Sequence, residues 1–567
     1  MYWKRCIFIV PILVTSTLLE SFICGRTVFV PRAQDDNIVR RINIEQLRWN
    51  DDCACYSLRI IPEYTRSFRS CKIAQNFFGG ETLTFSGSRV TKRGSRDILA
   101  DYLGLPSDFI SKVSFSPLIQ NFLIDFGLKI NLDWWHKDFF IDFWAPLVHT
   151  RWNMRMCERV VKKGENFSPA GYLSGGNIRM QRSQLPANVT TVLRGGVTFG
   201  DMQDPLRFGK ICGTQTKTEI ASIRTRIGWN FVKKSDYRIG ANLFVTAPMG
   251  NSRRSEYLFE PIVGNDHHWE IGAGLYGSWE FWRDEKVDQS CSGFVHLDVA
   301  HLIFSWQRRS FDLKKGGRGS RYMLLTSLDT PHDDILQVPQ GVTPTLQYTG
   351  HLFHAINKTT LDCKVSIGAR MNLLLGFSYN RNSWSVDVGY NLWGRSSEKI
   401  KCRDCFPGGK FAVKGDAQLY GFLVGQNKEF SVSLNGTQSE ATIYKGQGVG
   451  NGDLSNLNVD NPAVAYELED PTDLNNLNLS DSADLAIGQV PVNGSNLPLL
   501  ISNVDLDESS ACSPRAFSSK IFARCNHVWK NRENWLPYIG LGLEVEIGHS
   551  CRALSQFGVW LEGGFLY

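Results

Sequence analysis

The sequence predicts an all-β chain, folded as a transmembrane antiparallel up-and-down β-barrel of about fourteen strands within a range of 12–16. Three observations predict it. Long segments alternate strictly between apolar and other residues. The second face of these segments is too polar for a packed core. The links between them alternate short and long.

Alternation is plainest in residues 557–567. Phe557, Val559, Leu561, Phe565 and Tyr567 fall on one face, and Gly558, Trp560, Glu562, Gly564 and Leu566 on the other, because successive strand side chains point to opposite sides. In 534–548, Ile539, Leu541, Leu543, Val545 and Ile547 alternate with Gly540, Gly542, Glu544, Glu546 and Gly548. In 363–380, the set Val365, Ile367, Ala369, Met371, Leu373, Leu375, Phe377 and Tyr379 opposes Ser366, Gly368, Arg370, Asn372 and Leu374. A soluble β-sandwich alternates as well. Against it stand strands longer than the usual five or six residues, an apolar face unbroken to the strand ends, and a partner face of Gly, Ser, Asn and charges that suits a wet lumen.

Fourteen segments read as strands: 55–68, 118–132, 139–151, 217–232, 236–248, 268–282, 291–305, 363–379, 383–395, 410–422, 429–435, 519–529, 535–548 and 554–567. Short links at 133–138, 233–235, 283–290, 380–382, 425–428 and 531–534 alternate with long ones at 69–117, 152–216, 249–267, 306–362, 396–409 and 436–518. Periplasmic turns and extracellular loops alternate in this way. The link 549–553 departs from the scheme, being short where a long loop is due.

The first residues read as a secretory signal over 1–25, with Lys4 and Arg5 before the apolar run Cys6 to Leu19 and Gly25 as the small residue for cleavage. A leader or plug at 26–54 would follow, then the barrel at 55–567 with a long acidic loop at 436–518. No later segment has the roughly 18 apolar residues of a spanning helix. Composition agrees, with 51 Gly, 34 Phe, 16 Trp and 17 Tyr but 21% charged residues. The net charge of +6 is spread along the chain, which argues against nucleic acid as a partner.

The lumen face offers the candidate site. Arg224, Arg226 and Arg238 point inward on one predicted hairpin, and Arg370, Lys129, Lys410 and Lys414 add positive charge. Glu544, Glu546 and Glu562 gather on the last two strands, with Glu270 between the two groups. Opposed basic and acidic walls can order water and polar solutes in a pore. Pairing across neighbouring strands is the plainer reading of any one of them.

The loops carry less. Residues 97–105 read as a short helix stopped before Pro106, and 189–196 as another. Residues 451–510 hold eleven Asp or Glu and neither Lys nor Arg, the composition of a solvated loop. Twelve cysteines follow the signal. Export favours loop disulfides over zinc for Cys402 and Cys405, with the connectivity left open. The histidine pairs His267–His268 and His351–His354 read as solvated loop residues. No nucleophile elbow, phosphate loop or metalloprotease signature is present, so the sequence suggests no catalytic residue, metal or cofactor.

Over residues 55–567 the pattern resembles bacterial outer-membrane β-barrels, and the aromatic at the close of 557–567 resembles their recognition signal. The resemblance implies a Gram-negative outer membrane, with membrane lipid, small solutes and the barrel-assembly machinery as partners and a homo-oligomer as an option. Fourteen strands behind a leader look like the long-chain fatty-acid transporter family, whose leader plugs the lumen. The sequence also looks like porin-like families of bacteria that live inside host cells. A passive channel for small solutes is therefore expected first, a transporter of hydrophobic ligands second, and a structural or adhesive barrel third.

Overall fold

The computed structural model describes residues 25–42, 56–165, 183, 185–329, 347–415, 441–444, 500–530 and 535–567. The segment 1–24 and most of the acidic loop, at 445–499, lie outside the described residues.

Twelve strands form the wall: β1 (Tyr56–Phe68), β2 (Leu118–Asn131), β3 (Phe139–Asn153), β4 (Ser222–Lys233), β5 (Tyr237–Pro248), β6 (Glu270–Asp284), β7 (Gln289–Ser310), β8 (Thr360–Arg381), β9 (Trp384–Arg395), β10 (Ala516–Val528), β11 (Leu536–Gly548) and β12 (Ser555–Leu566). Each pairs antiparallel with its neighbour in sequence, and β1 pairs with β12, so the sheet closes and no edge is left in the wall. The shortest wall strands have 12 residues, more than the nine to eleven that cross a bilayer on a tilt.

Twelve strands lie at the lower bound of the expected range. The two missing ones are the predicted hairpin at 410–422 and 429–435. Its first part holds a three-residue strand, Phe411–Val413, paired with Leu324–Asp329 in a loop sheet. Phe411, Ala412 and Val413 are all buried, so this run has no lipid face. Residues 416–440 lie outside the described residues. Removing one hairpin leaves the alternation of turns and loops unchanged, and both ends of the wall stay on the short-turn side.

Two further strands continue the wall beyond its rim. Thr214–Ile220 pairs with β3 just above the β3–β4 ladder, offset by the single residue Ala221, whose N–H bonds Pro146 O at 2.9 Å. Glu398–Cys402 pairs with β8 in the same register as β9, from Arg370–Arg395 to Ile367–Glu398. Opposite that step β8 shifts face at Gly368 and Ala369. Val365 and Ile367 therefore point inward and are buried, against the alternation expected for them, while Leu375 and Phe377 point out as expected.

Outside, the wall is apolar: Leu128, Leu243, Leu275, Ile521, Leu541, Leu543 and Leu561 are all exposed. At the short-turn end Trp229, Trp279, Trp384, Trp529, Trp535 and Tyr567 are exposed as well, the girdle that aromatic rings make where lipid meets water. Inside, glycines leave room for large groups. Arg59 lies over Gly127 and the Trp560 ring over Gly542, where a Cβ would collide.

The long loops fold together over the other end. Ile98–Leu99, Thr82–Ser86, Ile110–Phe115 and Met156–Lys162 make one small sheet, and Gln347–His354, Leu324–Asp329 and Phe411–Val413 another. The predicted loop helices appear as Ala100–Leu103, ended by Gly104 at φ 67°, and Val189–Leu193, capped by Asn188. Their side chains Leu103, Val189, Val192 and Leu193 pack into one buried cluster with Phe29, Phe77, Phe109 and Trp152. The loops thus have a core of their own.

Candidate functional site

Chain segment 25–42 threads from this loop core into the lumen. It ends in one helical turn, Ile38–Arg41, with the Asn37 side chain accepting from Val39 N at 3.2 Å. Ile38, Val39 and Ile42 pack against Ile61, Trp144, Phe294, Leu374, Phe522 and Trp560, inward side chains from six wall strands. A short apolar plug of contacts therefore sits mid-lumen, with charged groups around it.

The segment's charges meet wall charges directly. Arg40 pairs with both Glu63 and Asp125. Arg41 reaches Asp298 at 3.3 Å, and Arg224 reaches the same carboxylate at 2.9 Å. Arg32 donates to Asn372 and Asn391, each at 2.9 Å, and lies 3.4 Å from Glu546. Asp36 accepts from Trp393 Nε1 and Asn372 Nδ2, both at 2.7 Å, and lies 3.3 Å from Arg370. Asn37 donates to Glu544 at 2.9 Å. Backbone groups join in: Arg59 donates to Arg40 O at 3.0 Å and Arg41 O at 2.7 Å, while its guanidinium stacks on Trp144. Breaking a buried pair by removing one partner typically costs about 3–5 kcal/mol, so this set holds the segment firmly.

Wall charges also pair with each other. Arg226 binds Asp142 at 2.7 Å, Arg370 binds Glu270 at 2.6 Å, Lys520 binds Glu544 at 2.5 Å, and Arg524 binds Asp387 at 2.6 Å. Tyr538 donates to Glu562 at 3.4 Å, and Lys129 lies 4.0 Å above the Phe140 ring. Of the eleven residues singled out from sequence, Arg224, Arg226, Arg370, Lys129, Glu270, Glu544, Glu546 and Glu562 are buried inside the barrel. Arg238 is half-buried near the short turns, its guanidinium 6.0 Å from the Tyr276 ring. Lys410 and Lys414 do not belong to the set. They flank the loop strand Phe411–Val413, Lys410 exposed and Lys414 buried, because the chain there serves the loop core and not the wall.

Sequence reading missed Arg59, Glu63, Asp125, Asp142, Lys520 and Arg524. Each sits on the inward face set by its strand's alternation, so the same rule that found Glu544 could have found them. It also missed Arg32, Asp36, Arg40 and Arg41, for which no periodicity exists to read. The loop histidines differ from expectation too. His268 is buried, with Nδ1 2.7 Å from Ile303 O and Nε2 3.0 Å from Gln307, and His354 is fully buried. Among the described residues no group of His, Cys, Asp or Glu has the arrangement of a metal site.

No family model and no curated protein matches the chain. Solved structures that align along most of it include an outer-membrane channel of Pseudomonas putida F1, at 9% identity and a TM-score of 0.32 over 91% of this chain and 99% of that one. The translocator domain of the autotransporter NalP from Neisseria meningitidis aligns at 5% identity and a TM-score of 0.25, over 93% and 94%. A Pseudomonas aeruginosa FadL homologue aligns at 6% identity and a TM-score of 0.25, over 90% and 90%. Likenesses this distant carry no functional argument. The ladder closure, the apolar exterior and the charged interior identify the chain as a β-barrel of the outer-membrane type.

Proposed function

We propose that the protein is a bacterial outer-membrane channel for small polar solutes, held shut by its own segment 25–42. The observation that carries this reading is where the lumen charges go. Glu63 and Asp125 are inward wall carboxylates whose ion pair is supplied by Arg40 of a chain segment, not by the wall. A wall built only to be filled would do better with apolar side chains, since replacing buried ion pairs by packed hydrophobic groups is often neutral or stabilising. A wall meant to be wet needs its charges. Moving the segment aside would hydrate them and leave a polar passage.

One observation favours a second reading, a transporter of hydrophobic ligands. A cavity in the loop core is lined by Phe77, Phe78, Phe85, Phe115, Leu193 and Ile443, an apolar surface away from the charged lumen. Uptake into liposomes carrying the refolded protein separates the two. With the segment released, by replacing residues 33–42 with a Gly–Ser linker, passive diffusion predicts influx of small sugars that rises linearly with concentration and falls with solute size. Saturable uptake of an apolar solute, with no sugar influx even after the segment is released, would overturn the channel reading.

A further inference from the structure

We propose that Cys363 and Cys402 form a disulfide that staples the strand Glu398–Cys402 to β8. In the antiparallel ladder these two cysteines are direct partners. Directly opposed residues have Cα atoms roughly 4.5–5.5 Å apart, inside the window of about 4.4–6.8 Å that a disulfide spans. Both thiols face the same side. Cys363 is buried in line with Leu361, Val365 and Ile367, and Cys402 packs against the same apolar cluster. Cys402 is the less buried of the two thiols and so the readier to meet an oxidant. Cys363 also leans on Leu361 O at 3.5 Å, so bond formation asks for a side-chain turn and no strand movement.

The position gives the bond a purpose. On one side Glu398–Cys402 pairs with β8, but the β9–β10 ladder stops at Arg395–Ala516, just before it. On that other side the described residues supply the bond from Glu398 N to Ser513 O, 3.0 Å, in place of a ladder. A strand with a weakly paired edge frays, and this one carries the root of the connection 396–515. A covalent tie at its far end, Cys402, fixes that root to the barrel.

The chemistry is thiol–disulfide exchange, with an envelope protein disulfide or oxidised glutathione as oxidant. The Cys402 thiolate attacks one sulfur of the oxidant and releases a thiolate, giving a mixed disulfide. Cys363, losing its proton to solvent, then attacks the Cys402 sulfur and releases the second thiolate. The protein loses two protons and two electrons, and the oxidant leaves as two thiols. Formation in the cell rests on the exported location proposed above.

The test is disulfide mapping by mass spectrometry of the full chain, with free thiols alkylated before digestion. One sample is taken as isolated from cells and one after treatment with oxidised glutathione. Cys405 and Cys512 are the rival partners, so the same mapping is done on Cys405→Ser and Cys512→Ser, which leave the pair intact. A 363–402 linked peptide in every sample is the expected result. Its appearance only after treatment upholds the pair and counts against export. A 402–405 or 363–512 linkage, or alkylation of both cysteines after treatment, overturns it.

Discussion

Arg40 is the residue on which the closed lumen depends most, since it alone among the segment's cations meets two wall carboxylates, Glu63 and Asp125. Arg40→Met leaves both carboxylates buried without their partner, and should lower stability by about 3–5 kcal/mol. Adding Glu63→Gln and Asp125→Asn should recover most of that loss, a recovery that urea unfolding of the three proteins would measure. His354 makes a second residue-level case. It is enclosed in the loop core, neither ring nitrogen has a hydrogen-bond partner, and burial pulls its pKa down to about 4. The unfolded chain binds that proton near pH 6.5, so above that pH the group contributes nothing to the pH dependence. As pH falls from 6.5 to about 4, the unfolded state gains the proton first and the loop core loses stability, on the order of 3 kcal/mol in all. Between pH 6.5 and about 4 the acid-induced loss of stability should be smaller in His354→Leu than in the intact protein; equal losses in melting curves would contradict this. Neither residue was legible beforehand. The leader has no period to read, and a histidine spaced three from another says nothing about enclosure.

At the scale of elements, alternation located the wall well, because a strand with lipid on one side and water or charge on the other leaves a period of two in its sequence. It failed where chains pack on both faces. Phe411–Val413 looked like the start of a wall strand but lies inside the loop core. It failed again where a register step reverses the faces, at Gly368 and Ala369, and a period alone cannot show such a step. The reading of 217–232 as one strand was near the mark, since Thr214–Ile220 and β4 run on through the single residue Ala221. The two faces of β11 allow a direct test. Leu543 points out and Glu544 points in, one residue apart. Leu543→Arg should lower stability in a bilayer by about 2–4 kcal/mol, as arginine does on the lipid face at mid-depth. Glu544→Gln should cost less, since the amide oxygen can keep accepting from Asn37 while Lys520 stays paired with Glu546, 3.7 Å away. Equal losses in a folding titration into lipid vesicles would contradict the assigned faces.

The molecule as a whole has three layers of organisation: a closed wall, a folded loop core over one end, and a chain segment from that core running into the lumen. The wall was legible in the sequence, and the last strand of 557–567 was its clearest part. The lumen segment was legible only as a leader or plug at 26–54, and the loop core not at all, because both are built from contacts between stretches far apart in the chain, such as Phe29 with Phe77 at 6.4 Å. Their combination makes the central claim, that the segment closes a polar lumen which would otherwise conduct. Planar-bilayer recording tests it most directly, on the intact protein and on a variant with residues 33–42 replaced by a Gly–Ser linker of equal length. Rare or absent steps from the intact protein, and frequent discrete ohmic steps from the variant, are what the account predicts. A folded, inserted variant that stays as silent as the intact protein would contradict it.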